Sequence, residues 1–246
     1  MMITKSALKF IKSLQLKKNR IEHQRFLVEG IKSVKELLES DYAVELIAGT
    51  STYINEQSRL LNGVEVAETK EVDIRAVSSF KNNNSVVAVV EIPYANEVEI
   101  PSQGYTIMLD DIRDPGNLGT IIRIADWYGI DQIIASETTT DIYNPKVISA
   151  SMGSFTRVRV NYTDLSAVLH DYKGDVYGAM MEGQLLPEAS FSKQGVIIMG
   201  NESNGISEPI QKFITNKITI PRYGRAESLN VGIATAVICD RMRTSV

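Results

Sequence analysis

The sequence predicts an α/β protein in two parts, a small N-terminal α/β domain and a larger domain built on a mostly parallel sheet. Three observations carry that prediction. From Tyr105 onward, short aliphatic runs alternate with amphipathic stretches, the pattern of parallel strands covered by helices. Apolar residues make up 43% of the 246, enough to bury a substantial core. Between this region and the N-terminal third lies YANEVEIPSQG, residues 94–104, polar and aperiodic with Pro101 and Gly104, which reads as a linker. The expected boundaries are 1–95 for the first domain, 96–104 for the linker and 105–246 for the second domain.

In the first part, residues 4–16 read as a helix from Leu8, Ile11 and Leu14, and residues 31–40 from Val34, Leu37 and Leu38. VELIAG and SVVAVVEIP read as strands. The second is nearly all apolar, as a strand buried on both faces should be. In the second part the strands are YTIMLD, DQIIAS, DVYGAM, GVIIMG and KITIP, with helices starting near Leu118, Lys146, Asp164, Ser207 and Leu229. No run approaches the roughly 18 apolar residues of a membrane helix, and MMITKSALKFIKSLQLKKNR has no secretory signal pattern. Cys239 is the single cysteine, and His23 and His170 lie far apart. No internal disulfide and no cysteine-based zinc cluster are expected, which fits a reducing cytoplasm and no structural metal.

The net charge is −4, yet Lys5, Lys9, Lys12, Lys17, Lys18, Arg20, Arg25, Lys32 and Lys35 face only Glu22 and Glu29 across the first 35 residues. That segment carries +7 and leaves about −11 for the rest. A basic patch on an acidic chain suits a polyanion, because each phosphate neutralised releases counterions. The candidate substrate-binding residues are Lys9, Lys12, Lys17, Lys18, Arg20 and Arg25; the plainer alternative is a solvated helix face.

Three loops carry the chemistry. In IMLDDIRDPGNLGTIIRIADWYGI a buried strand turns into a helix through Gly116, Asn117 and Gly119. The turn is neither a dinucleotide fingerprint nor a phosphate loop. Asn117 is expected to cap the helix. Gly119, Arg123 and Asp126 share one helix face, so the plain reading of Arg123 is a surface arginine paired with Asp126. In IIMGNESNGISEP a buried strand runs into Gly200, Asn201 and Glu202, then Gly205, with Ser207 as a helix cap and Pro209 in the first turn. In ITIPRYGRAESLNVGIATAVICDRM a strand leads through Pro221 and Gly224 to Ser228, Leu229 and Asn230, then to a long helix rich in small residues. Either Ser228 or Asn230 can cap it.

Together the loops resemble the three motifs of the SpoU or TrmH family of RNA ribose 2′-O-methyltransferases in the SPOUT superfamily. Asn117, Gly119, Arg123 and Ala125 match N-x-G-x-x-x-R-x-A. Gly200, Asn201, Glu202 and the later Gly205 match the second motif. Ile220, Pro221, Gly224, Ser228, Leu229, Asn230 and Val231 match I-P-x-x-G-x-x-x-S-L-N-V. Order and spacing agree over residues 106–243, and RFLVEGIKSVKELL resembles the appended substrate-binding domain, itself like a small ribosomal-protein RNA binder. Two positions depart: Ser203 stands where the family usually has Gly, and Arg222 where most members have Met.

The resemblance implies a trefoil-knot α/β domain that binds S-adenosylmethionine in the knotted loops and dimerises through that domain. It implies cofactor contacts from Gly200, Asn201, Ile220, Ser228 and Leu229, and reaction at a site holding Arg123, Asn117, Glu202, Ser228 and Asn230. No metal is needed. A guanidinium can hold a phosphate at two points and stabilise a developing alkoxide, but its pKa above about 12 makes it a poor base. Proton removal is then shared with a phosphate or water. The expected partner is RNA, ribosomal before transfer RNA. Two alternatives stand beside this reading: a SPOUT-type base methyltransferase, and a non-catalytic RNA-binding or assembly protein retaining the pocket. A nicotinamide dehydrogenase lacks its glycine fingerprint.

Overall fold

The computed structural model describes residues 2–94 and 98–245, so part of the expected linker at 96–104 lies outside the described residues. The first 94 residues hold α1 (Lys5–Ser13), α2 (Lys17–His23), β1 (Arg25–Glu29), α3 (Ile31–Leu38), β2 (Val44–Gly49), α4 (Ser51–Glu56), β3 (Val66–Glu68), α5 (Glu71–Val77) and β4 (Val86–Glu91). Then follow β5 (Tyr105–Asp110), α6 (Pro115–Trp127), β6 (Gln132–Ala135), α7 (Pro145–Ser151), β7 (Arg159–Tyr162), α8 (Leu165–His170), β8 (Val176–Leu185), β9 (Gly195–Gly200), α9 (Glu208–Gln211), β10 (Asn216–Thr219) and α10 (Val231–Thr244). The described residues fall into two compact units, one of residues up to 94 together with 141–156, the other of the remainder.

The first unit is a four-stranded sheet in the order β1-β4-β2-β3, antiparallel except where β2 meets β3. β4 explains its own sequence. Val86, Ala88 and Val90 enter one core with Phe26, Val28 and Ile47, while Val87 and Val89 enter another with Ile11, Leu14, Leu27 and Ile74. A strand covered on both faces has no polar side to alternate with. The first of these cores also contains Ile148 and Phe155, with Tyr143 packed against it, so residues 141–156 complete a core made by the N-terminal strands. The boundaries expected from the sequence place this segment in the second domain, whereas in the structure it packs with the first unit.

The second unit is a six-stranded sheet in the order β10-β8-β9-β5-β6-β7, every pairing parallel. The predicted α/β class with a mostly parallel sheet is the one found. β5 and β9 lie side by side at its centre. From β5 the chain moves outward to β6 and β7, whereas from β9 it moves to β10 at the opposite edge. Consecutive connections therefore diverge between the carboxyl ends of β5 and β9, the place where open parallel sheets form a ligand crevice. The α10 helix packs on α6 through small residues: a Cβ on Gly232 would lie 3.0 Å from Thr120 Cγ2, and Thr235 is fully buried. Arg243 secures the other end, its Nε and Nη2 donating to the carbonyls of Tyr128 and Gly129 at 2.8 and 3.0 Å.

Candidate active site

The loops after β5, β9 and β10 are the three singled out in the sequence, and side chains join them. Asn117 Nδ2 donates to Glu202 Oε1 at 2.6 Å. Asn230 Nδ2 donates to Asn117 Oδ1 at 2.8 Å. Asn230 Oδ1 accepts the amide N–H groups of Gly232 and Ile233 at 2.9 and 3.3 Å, capping α10. Direction is fixed at both ends of this chain. Helix amides can only donate and an ionised carboxylate can only accept, so both asparagine amides have one allowed orientation. The cap expected of Asn117 belongs instead to Asp114, whose Oδ1 accepts the Asn117 N–H at 2.8 Å, with Pro115 in the first turn. That frees the Asn117 side chain to bridge two other loops.

A second set of bonds shapes the loop after β9. Asn201 Nδ2 donates to the Asp111 carbonyl at 2.8 Å and its Oδ1 accepts the N–H groups of Ser203 and Asn204. Asp110 Oδ2 accepts the Ser207 N–H at 2.7 Å. Asp111 holds a left-handed conformation, φ 61°, which aspartate tolerates better than most residues. Burial opposes ionisation of its carboxyl, but hydrogen bonds from Arg113 and Thr138 and the Arg113 charge outweigh it and lower the pKa. Gly200 serves its own turn, since a Cβ there would come within 2.2 Å of the Gly205 backbone. Ser203 at the departing position is exposed.

Arg123 is exposed on α6 and makes no hydrogen bond or ion pair among the described residues. Its expected neighbour is engaged elsewhere: Arg157 grips Asp126 through Nε at 3.0 Å and Nη2 at 2.9 Å. The plain pairing of Arg123 with Asp126 is therefore not formed. Nothing in the sequence marks Arg157, because 31 residues separate the partners.

The residues expected to hold a cofactor surround unspent polar groups. Among the described residues, no hydrogen bond engages the backbone N–H groups of residues 222–229. Leu229 is half-exposed, Ser228 exposed and Ile220 partly buried. The Thr219 hydroxyl, one residue before Ile220, is buried without a partner. An orphaned hydroxyl beside free backbone donors and an accessible leucine fits a ligand with a polar heterocyclic edge and an apolar face. Of the five residues expected as the lining, Ile220, Ser228 and Leu229 adjoin these groups in the loop after β10, while Gly200 and Asn201 stand where β9 runs into its loop, Gly200 permitting the turn and Asn201 holding it.

In the first unit, Lys9, Lys12, Lys17 and Lys18 are exposed on α1 and α2. Arg20 is not available to a substrate. It is 3% exposed, with Nε and Nη2 on Asp141 Oδ2 at 3.2 and 2.7 Å and Nη1 on the carbonyls of Leu14 and Gln15. Arg25 is ion-paired with Glu45 and Glu91, and the hydrogen bond with Glu45 is the main reason its pKa is raised.

Comparison with known proteins gives a consistent result. Residues 104–240 match the SpoU rRNA Methylase family and residues 5–88 match the MRM3-like substrate binding domain. The chain is 31% identical over 237 residues to the 23S rRNA (guanosine(2553)-2′-O)-methyltransferase RlmP of Bacillus subtilis, covering 94% of each chain. A TrmH-family RNA methyltransferase from Porphyromonas gingivalis superposes with a TM-score of 0.86 at 34% identity over all of both chains. An AdoMet-bound rRNA methyltransferase from Sinorhizobium meliloti superposes with a TM-score of 0.88 at 28% identity, covering 99% of this chain and 96% of that one. The motifs, the parallel sheet and these matches together place the chain in the SpoU rRNA methylase family.

Proposed function

We propose that this protein is an S-adenosylmethionine-dependent methyltransferase acting on a ribose 2′-hydroxyl of ribosomal RNA. The observation that carries the reading is an unpaired, exposed Arg123 on the helix whose first turn is linked through Asn117 to Glu202 and Asn230. The cofactor, when bound, supplies a methyl group on a sulfonium. In the transfer, an oxygen–methyl bond would form as the sulfur–methyl bond breaks to leave a neutral thioether, and the hydroxyl would pass its proton to a phosphate oxygen or water. The guanidinium of Arg123 holds the ribose and its phosphate in line and stabilises the charge that develops on oxygen. Asn117, Glu202 and Asn230 fix the three loops against one another, and Ser228 stands beside them with its hydroxyl exposed.

The first unit supports RNA binding through Lys9, Lys12, Lys17 and Lys18 and matches a substrate binding domain. On this reading residues 1–95 hold RNA and 105–246 perform the transfer, in the cytoplasm; no helix of the described residues is long and apolar enough to cross a membrane. Trp127, Ile233 and Val237, exposed by 82, 53 and 38%, give the knot domain an apolar surface suited to a second copy. Trp127→Glu should shift a sedimenting dimer to monomer; wild-type monomer at micromolar concentration removes this part.

The test is single-turnover methyl transfer to unmodified ribosomal RNA beside cofactor titration. Arg123→Ala should lower the transfer rate by about 10²–10³, the usual cost of losing one aimed donor, with little change in cofactor affinity. Arg123→Lys should recover little, since an ammonium cannot make the planar two-point contact. Near-normal transfer by the Ala variant rejects the role. Methylated product that stays sensitive to alkaline cleavage at the modified position would favour base methylation, and no transfer at all by the wild type would favour a binding protein.

A further inference from the structure

Resting on the ribose-methyltransferase reading, we propose that Tyr223, flanked by Arg222 and Arg225, is a stacking platform for an unpaired base of the RNA next to the methylated ribose. The loop from Pro221 to Asn230 is anchored at both ends, by β10 on one side and by the Asn230–Asn117 bond on the other. Its tip reads Arg222-Tyr223-Gly224-Arg225. Tyr223 is 94% exposed and makes no hydrogen bond or ring contact among the described residues. That leaves both ring faces open to a second surface.

The flanking charges say what kind of surface that is. Arg222 gives one Nη1 hydrogen to the Ala226 carbonyl at 3.4 Å, leaving most of its donors unused. Arg225 forms no ion pair among the described residues, although Glu227 stands two positions away. An apolar protein partner covering Tyr223 would strip water from two guanidinium groups without offering counter-charge. A nucleotide offers both complements at once, a π-face for the ring and phosphates for the arginines. An open base face exists only where the RNA is unpaired or splayed, so the loop selects single-stranded or loop nucleotides over duplex. The loop also explains the Arg222 departure, because methionine at that position would add surface but no phosphate contact.

The experiment uses the full chain with unmodified ribosomal RNA as probe. Tyr223→Ala should raise the RNA Kd by roughly tenfold, the scale of removing one base–aromatic stack. Tyr223→Phe should stay within about twofold, because stacking needs the ring and not the hydroxyl. Replacing Arg222 with Met and Arg225 with Gln should flatten the plot of log K against log salt by roughly 0.7 for each single-strand phosphate no longer neutralised. Sedimentation should be unchanged in all of these, and any change in cofactor affinity should be smaller than the change in RNA binding. RNA binding by Tyr223→Ala equal to wild type overturns the proposal. So does a matching loss of cofactor affinity, which would assign the ring to the adenosyl group, or a shift to monomer, which would assign it to a subunit interface. Loss of transfer in Arg123→Ala with normal RNA binding by Tyr223→Ala would reject this inference alone. A wild type that methylates no ribose hydroxyl would reject the functional reading beneath it.

Discussion

At the scale of single residues, the three loops are joined by directional amide chemistry. Asn117 receives from Asn230 and gives to Glu202, which its amide does through separate oxygen and nitrogen atoms. Asn117→Asp keeps the shape and the acceptor but turns the 2.6 Å contact with Glu202 into two facing carboxylates. Asn117→Ala merely leaves an exposed Glu202 to water. The aspartate variant should therefore lose more methyl transfer than the alanine variant. Equal losses in single-turnover transfer would show that Asn117 acts by shape alone. Cys239 shows the opposite extreme. Burial pushes its thiol up to about 12, so it stays neutral and unreactive while folded. Its unfolded value is near 9, so the folded state's advantage at this position is intact below that pH and is lost as pH rises from there towards 12.

At the scale of elements, Arg20 shows how a sequence-level charge count misleads. It sits in α2 among lysines, yet its guanidinium closes the carbonyl end of α1 and binds Asp141 just before α7. Removing it leaves Asp141, 16% exposed, without its cation. Arg20→Ala should cost about 3–5 kcal/mol, the scale for breaking a buried pair from one side, and lower the melting temperature without a specific change in RNA salt dependence. A fully stable Arg20→Ala protein with weakened RNA binding would return the residue to the substrate surface. Five of the six parallel strands of the second unit, β5, β6, β8, β9 and β10, are legible in the sequence because each contains a short apolar run bounded by Gly, Pro or polar residues. The expected start of α10 at Leu229 lies two residues before the observed Val231, and Asn230 supplies the cap. β3, only Val66–Glu68, and the edge strand β7 leave no comparable trace, since three or four half-exposed residues carry little periodicity. The cap at Asp114 is readable from the Asp-Pro pair, but Asn117 competes for it on the same local pattern. The bonds from Asn117 to Glu202 and Asn230, 85 and 113 residues away, cannot be read from local pattern at all. The motifs identify the participants through family likeness, and the fold supplies the contacts.

At the scale of the whole molecule, the two units are interleaved along the sequence. The chain leaves the second unit at Asp141, contributes Ile148 and Phe155 to the first unit's core, and returns at Arg157. Cutting away residues 1–95 would thus uncover Tyr143, Ile148 and Phe155, and truncation cannot cleanly test the RNA-binding role. Surface charge can. Lys5, Lys9 and Lys12 follow one face of α1, opposite buried Ile11 and Leu14. Lys17 and Lys18 occupy the first turn of α2, where the helix dipole disfavours cations and no acidic residue offsets them. Stability does not explain these five exposed lysines, and attraction for phosphate is the reading to test. Replacing Lys9, Lys12, Lys17 and Lys18 with Gln should weaken RNA binding most at low salt and reduce the slope of log K against log salt by about 0.7–0.9 for each phosphate no longer neutralised. The mutant and wild-type curves should converge at high salt, while melting temperature, cofactor affinity and single-turnover transfer at saturating RNA stay close to wild type. Parallel salt plots would mean that these lysines are ordinary solvated charge and that the RNA is held elsewhere. A fall in transfer at saturating RNA would mean instead that the first unit aligns the ribose as well as capturing the chain.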